Sequence, residues 1–386
     1  MSLNFEFATA TRILFGAGTL GQVGANVQPF GRRALVVTGS NPARAEKLMA
    51  ALAGSGISTA TFSVAGEPDI ATVERGTALA RAEKCELVIG FGGGSVIDAA
   101  KAIAAMLANA GGLLDYLEIV GAGKALQKES VPFVAIPTTA GTGAEVTRNA
   151  VIASPEHKVK VSLRSPFMLA RLAVVDPELT YDLSPALTAS TGLDALTQLI
   201  EPYTCLRANP MTDALCVEGI RRAARALDNG VIHGRDKAGR ENMAVASLFG
   251  GLALANAGLG AVHGFAGPVG GSFPAPHGAI CAALLPHVMA MNLEALRSRN
   301  PQSPVLDRYQ KLGWLLTFKP GVKAEAGVEW VRRLVAGLPI PKLREYGIRE
   351  EHFPDLVAKA AKASSMKANP IELTPAELTE ILRQAT

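Results

Sequence analysis

Up to Asp176 the chain alternates short apolar runs with stretches of helical periodicity, and no other feature narrows the fold so much. ALVVTG reads as a buried strand ending in Gly39, and ARAEKLMAALAGSG as a helix closed by glycine. STATFSV alternates like a second strand, ATVERGTALARAEK returns to helix, CELVIGFG is a strand and SVIDAAKAIAAML a helix again. FVAIPTT and LAVVD add two buried-strand candidates. Repeated βα units predict a Rossmann-like, doubly wound parallel sheet that receives ligands at the carboxyl ends of its strands.

The pattern changes after Asp176-Pro177. From Ser184-Pro185 onward strand signals stop, and helical segments punctuated by Gly and Pro follow one another. NPMTDALCVEGIRRAARALDNG has Pro210 where a first helical residue belongs and Gly230 where a helix would stop. GRENMAVASLFGGLALANAG is a second helix whose small residues allow close backbone approach. A chain of 386 residues exceeds one ordinary core. The expected division is an α/β domain over residues 1–184 and an all-helical domain over 185–386.

Composition excludes more than it assigns. The formal charge is only +4, with Lys and Arg dispersed among acids, so nucleic-acid binding gains no support. Cys85, Cys205, Cys216 and Cys281 have no framework spacing and read as buried thiols of a reducing compartment. MSLNFEFATATRILFG lacks the plan of a signal peptide, and no uninterrupted apolar run approaches about 20 residues. The expectation is a cytoplasmic enzyme with no membrane partner.

Two loops carry phosphate-binding character. In CELVIGFGGGSVIDAAKAIA a strand ends at Gly92, Gly93 and Gly94 and a helix opens at Ser95. Glycines let backbone approach a phosphate, and the free N–H groups of a helix start favour an anion. IPTTAGTGAEVT clusters Thr138, Thr139 and Thr142 among glycines after the next strand, which makes a nucleotide crevice the better reading than two tight turns. A second constellation is a candidate divalent-metal set. Asp194 and Gln198 are four apart in STGLDALTQLIEPY and so share a helix face. His263 and His277 complete it from GAVHGFAGPVGGSFPAPHGAICAALLPH.

Together, GFGGGSVIDAAKAIA, IPTTAGTGAEVT, VVDPEL, GLDALTQLIEPY, GAVHGFAGPVGG and PHGAICAALLPHVM resemble the iron-containing (group III) alcohol dehydrogenases, in family order and over nearly the whole chain. The resemblance implies the dehydroquinate synthase-like architecture, with a metal in the cleft between an N-terminal Rossmann-like domain and a C-terminal helical one. It implies reversible hydride transfer between NAD or NADP and a small-molecule aldehyde or ketone. By position, Gly93, Gly94 and Ser95 resemble the pyrophosphate loop, followed by Asp98. Thr138, Thr139 and Thr142 resemble cofactor contacts, and Lys160 the family's cofactor-binding lysine. Asp194, His263 and His277 are the expected catalytic metal ligands, and Fe2+ is the expected ion, with Zn2+ or Mn2+ as substitutes. A homodimer is also implied, and the strand-like FEFATATRILFG offers a segment to reach a partner.

Three departures qualify the resemblance. The family's usual metal set is Asp, His, His, His, and Gln198 stands at its second place. An amide oxygen is a harder donor than imidazole and binds late transition metals less well, so a weaker site is expected. Gly267 stands where many relatives carry a proton-relaying histidine, so the product oxygen must take its proton from water or the cofactor ribose. Gly39 and Ser40 follow the first strand where NAD-preferring relatives often place an acid, so nothing there repels a 2′-phosphate and NADP is allowed. Arg44 is either an aid to that phosphate or an exposed helix-end residue.

Asn149, Phe265 and Phe273 are candidate pocket residues, and Arg148 a candidate for a substrate carboxylate. His287 reads as structural, and His157, His233 and His352 as surface or loop residues. Three other readings stay open: a metal-independent reductase of the maleylacetate-reductase type, a dehydroquinate-synthase-like lyase, and an inactive nucleotide-binding protein.

Overall fold

The computed structural model describes residues 4–157, 159–228 and 236–386, so Gly230 and His233 lie outside the described residues. The chain divides into an α/β unit, residues 8–139 and 143–182, and a helical unit, residues 183–386 with 4–7 and 140–142.

In the α/β unit the strands are β1 (Ile13–Phe15), β2 (Arg33–Thr38), β3 (Ser58–Ser63), β4 (Leu87–Gly92), β5 (Phe133–Pro137), β6 (Asn149–Ser154), β7 (Val159–Arg164) and β8 (Leu172–Val175). Its α-helices are α1 (Val23–Val27), α2 (Glu46–Gly54), α3 (Ile70–Ala82) and α4 (Gly94–Ala108). Six strands form a parallel sheet in the order β1-β8-β5-β4-β2-β3. The chain runs outward from β2 to β3, then returns to lay β4 on the other side of β2. That reversal puts the topological switch point between β2 and β4, whose register ends with Thr38 opposite Phe91. Strands β4, β5 and β8 are buried at every position, which is why their sequences read as unbroken apolar runs, whereas edge strand β3 alternates.

Helix α4 lies close on the sheet because Gly90 has no side chain; a Cβ there would stand 2.9 Å from that of Ala100. The N-terminal strand-like stretch contributes Ile13–Phe15 to the chain's own sheet, parallel to β8. One feature departs from the sequence reading. Strands β6 and β7 form an antiparallel hairpin that the sequence did not announce, because its turn carries neither Gly nor Asn.

The helical unit comprises α5 (Pro185–Thr204), α6 (Pro210–Asp228), α7 (Lys237–Asn256), α8 (Ala261–Ser272), α9 (His277–Arg299), α10 (Val305–Thr317), α11 (Glu325–Ala336), α12 (Phe353–Lys362) and α13 (Pro375–Ala385). Ser184 starts α5 as the sequence suggests: its Oγ accepts the Leu187 N–H at 3.3 Å, and Pro185 occupies the first turn, where no N–H is needed. From Gly192 to Thr204 α5 is buried on all sides, with Leu193, Leu196, Leu199 and Ile200 in the core. Polar residues in that stretch therefore lie inside the unit and need partners there. Helix α9 is long and apolar enough to cross a membrane, but 78% of its apolar window is buried within the molecule, as befits a core helix.

Candidate metal centre

Three helices of the helical unit converge on one point. Asp194, Gln198 and Glu201 lie four and seven residues along α5 and so share a face. His263 stands in the first turn of α8, His277 is the first residue of α9, and Cys281 follows one turn later. His263 Nε2 is 3.4 Å and His277 Nε2 3.6 Å from Asp194 Oδ1. Cys281 Sγ is 3.7 Å from His277 Nε2 and 3.9 Å from His263 Nε2. All four donor atoms lie within 4.8 Å of one another.

Glu201 fixes one of these rings. His263 Nδ1 donates to Glu201 Oε2 at 2.6 Å, while Glu201 Oε1 accepts the Val262 N–H at 2.7 Å. An ionised carboxylate only accepts, so Nδ1 carries a proton and Nε2 is the ring atom turned to the cluster.

The residues present fit a divalent cation. Among the described residues, Asp194 Oδ1 and Gln198 Oε1 are buried acceptors with no hydrogen-bond partner, and Gln198 Nε2 donates a long 3.4 Å bond to the Gly141 carbonyl. An unsatisfied buried acceptor costs roughly 1–3 kcal/mol. A cation at the convergence of Asp194, His263 and His277 would satisfy such an oxygen. The electrostatics agree. Burial would raise the Asp194 carboxyl, but the His277 and His263 rings outweigh it and hold it low. Burial also opposes charge on the imidazoles, yet Cys281 and Asp194 outweigh it, lifting His277 to about 9 and His263 well above its ordinary value. The pocket thus favours positive charge, and a cation would compete with these protons.

Gly267 lies one turn after His263 on α8, and a Cβ built there meets nothing within 4 Å. The position of the missing relay is open space.

The glycine loop after β4 borders the switch point, and the threonine loop after β5 adjoins it. Helix α4 begins at Gly94 with Gly93 as its cap residue and no capping side-chain bond, so Gly93, Gly94 and Ser95 present backbone N–H groups at a helix start. Gly93 adjoins Thr139, whose Oγ1 would be 3.5 Å from an added Cβ, and the Thr138 N–H donates to the Gly92 carbonyl at 2.9 Å. Gly39 faces Val96 across the turn, with Ser40 exposed beside it. Thr142 stands apart, since residues 140–142 cluster with the helical unit. Asp98 accepts the Val151 N–H at 3.0 Å and lies 3.8 Å from Lys101, which ties α4 to β6. Lys160 is on β7, 3.3 Å from Glu67 Oε1.

The remaining candidates scatter. Phe265 is fully buried in the helical core rather than lining a pocket. Phe273 sets its ring edge-on to His352, which also accepts the Arg349 N–H at 3.0 Å, so His352 is not without partners. The Asn149 carbonyl is taken by Lys101. The Arg148 carbonyl accepts the Ser165 N–H, and Arg44 donates to the Leu179 carbonyl. His287 bonds Gln384 between α9 and α13, and exposed His157 bonds Ser154. Sequence reasoning missed Glu201 and Cys281. Their signals were present: Glu201 is seven residues from Asp194 on one helix, and Cys281 four from His277 on another.

Known proteins match the chain over nearly its whole length. The family described as iron-containing alcohol dehydrogenase matches residues 10–177, and the Fe-containing alcohol dehydrogenase family, C-terminal, matches residues 188–386. The chain belongs to the iron-containing alcohol dehydrogenase family. A 1,3-propanediol dehydrogenase of Klebsiella pneumoniae is 36% identical over 99% of this chain and 98% of its own. The crystal structure of a 1,3-propanediol oxidoreductase superposes with a TM-score of 0.92 at 35% identity, covering 99% of this chain and all of that one. A sulfoacetaldehyde reductase from Bifidobacterium kashiwanohense, solved with NAD+, has a TM-score of 0.86 at 26% identity, covering 100% and 99% of the two chains. This iron-containing alcohol dehydrogenase is therefore an oxidoreductase of small-molecule alcohols and aldehydes, and the lyase and non-enzymatic readings fall away.

Proposed function

We propose that this family member reduces a small aldehyde or ketone with NADH or NADPH, and runs the reverse oxidation, at a divalent cation held by Asp194, His263 and His277 with Gln198 beside them. The observation that carries the reading is the buried, unpartnered Asp194 Oδ1 facing two imidazole Nε2 atoms. When bound, the cation supplies Lewis acidity at the carbonyl oxygen, and the nicotinamide supplies the hydride.

The chain's own residues do the rest. Asp194 brings negative charge to a buried site, and Glu201 holds His263 in the tautomer that leaves Nε2 free. Gly267 offers no acid one turn beyond His263, so the chain supplies no proton donor for the product oxygen at that position. Gly93, Gly94 and Ser95 bind the pyrophosphate through backbone N–H groups. Gly39, Ser40, Thr138, Thr139, Thr142 and Lys160 contact the dinucleotide, with Asp98 positioning α4. The absence of a carboxylate at Gly39 and Ser40 admits NADP as well as NAD. Residues 1–184 then serve the nucleotide and residues 185–386 the metal and substrate, in a cytoplasmic homodimer.

NADPH and NADH oxidation with a panel of aldehydes tests the reading. Turnover that an Asp194→Ala variant loses supports it. No turnover with any aldehyde or added divalent metal would overturn it.

A further inference from the structure

Cys281 is the one cysteine drawn into a polar cluster. Its Sγ lies against both imidazole Nε2 atoms, four residues along α9 from His277, and it belongs to the set of donors gathered around Asp194. Cys85, Cys205 and Cys216 are buried free thiols outside that set. The four donor atoms lie within 4.8 Å of one another, somewhat wider than a bonded set and close enough to draw in around one ion. In a tetrahedral zinc site with bonds of about 2.0–2.3 Å, neighbouring ligand atoms stand about 3.3–3.6 Å apart. The pairs measured are 3.4 and 3.6 Å from Asp194 Oδ1 to the two Nε2 atoms, and 3.7 and 3.9 Å from Sγ to the same atoms. The buried Asp194 Oδ1, lacking a donor, points into the same space.

We infer that Cys281 is a thiolate ligand of the cation, so that this chain binds metal through Asp194, His263, His277 and Cys281 rather than through an all-oxygen-and-nitrogen set. The inference rests on the metal reading of the site given above. It changes which ion the site prefers. Thiolate is soft and favours Zn(II) and Co(II), whereas the neighbouring Gln198 amide oxygen is hard and adds little for these ions. The two anionic ligands, Asp194 and Cys281, also balance the charge of a divalent ion. On binding, the sulfur–hydrogen bond breaks, the proton passes to solvent, and the sulfur lone pair forms the metal bond, with no change of oxidation state.

Cobalt substitution reads the sulfur directly. The metal-stripped full-length protein is loaded with Co(II), bound cobalt is counted by plasma mass spectrometry, and the near-ultraviolet spectrum is recorded. The expected result is stoichiometric cobalt with a thiolate-to-cobalt charge-transfer band that Cys281→Ser loses and Cys85→Ser keeps. In competition with equimolar Fe(II) and Zn(II) under anaerobic conditions, the parent should take zinc, and Cys281→Ser should lose that preference. Stoichiometric cobalt without the band would overturn the ligand assignment while leaving the metal reading intact. A band that survives in Cys281→Ser would do the same. No cobalt binding at all would overturn both. Should Cys281→Ser fail to fold, Cys281→Ala reads the same loss of the band, and a parent spectrum without the band overturns the assignment by itself.

Discussion

Glu201 touches neither substrate nor ion, yet it sets what His263 can do. Its carboxylate is 95% buried and divided between the His263 ring and the Val262 backbone, so it fixes both the ring tautomer and the start of α8. Glu201→Gln keeps the shape but loses the charge, and its amide group can turn a donor toward Nδ1. Metal affinity should fall by roughly 10–100-fold while the fold survives, which a chelator competition titration would measure; unchanged affinity would show that the carboxylate only braces α8. Gln198 poses the complementary question. Its Oε1 lacks a partner, and its Nε2 bond to Gly141 is long. A Gln198→His variant exchanges a hard donor for imidazole, so it should retain more metal through dialysis than the parent. Equal retention would mean that position 198 does not reach the ion.

At the scale of elements, the start of α4 and the β6 edge make separate predictions. A Cβ at Gly93 would meet only Thr139 at an ordinary 3.5 Å, so Gly93→Glu should fold normally and its charge should favour the helix end. The same charge would repel a pyrophosphate. Cofactor affinity should therefore drop by roughly tenfold or more, equivalent to about 1.4 kcal/mol, with no loss of thermal stability; unaltered NADPH affinity would remove the loop from the cofactor site.

Farther along α4, buried Lys101 donates to the Ala144 and Asn149 carbonyls and to Thr147 Oγ1, near buried Glu145. Burial lowers Lys101 to about 8, against the pull of Asp98 and Glu145, and raises Glu145 to about 7, against the pull of Lys101. Between the ordinary carboxyl value of 4.5 and about 7 the folded state holds a proton on Glu145 that the unfolded chain has lost. The stability from that neutral carboxyl is complete below the lower value and is lost as pH rises through the upper. Glu145→Gln should accordingly flatten the fall in melting temperature across that window, and a decline as steep as the parent's would refute the assignment.

The whole molecule was legible in its sequence wherever a periodic signal was strong. The buried strands and their helices declare themselves because both faces of β4, β5 and β8 are covered, so apolar runs and helical stripes alternate cleanly. The β6–β7 hairpin did not, since its turn carries neither Gly nor Asn to mark it. Within the site, Asp194, Gln198, His263 and His277 were found because metal-ligand residue types stood at telling spacings. Glu201 and Cys281 were passed over because a carboxylate seven residues away and a single thiol look ordinary until α5, α8 and α9 are packed. The gathering of Thr138, Thr139 and Thr142 in one loop was only half visible, for residues 140–142 pack with the helical unit, where Gly141 sits so close to Thr191 that a Cβ would approach it to 2.9 Å.

The central claim is that carbonyl reduction here depends on a cation held by the Asp194 cluster. The most direct test is the metal content of protein purified anaerobically without chelators, measured by plasma mass spectrometry alongside NADPH-dependent aldehyde turnover. One divalent cation per chain is expected, with turnover lost on chelation and restored by adding metal back. Full turnover by protein that holds no metal and takes none on soaking would contradict it and move the chain to metal-independent reduction.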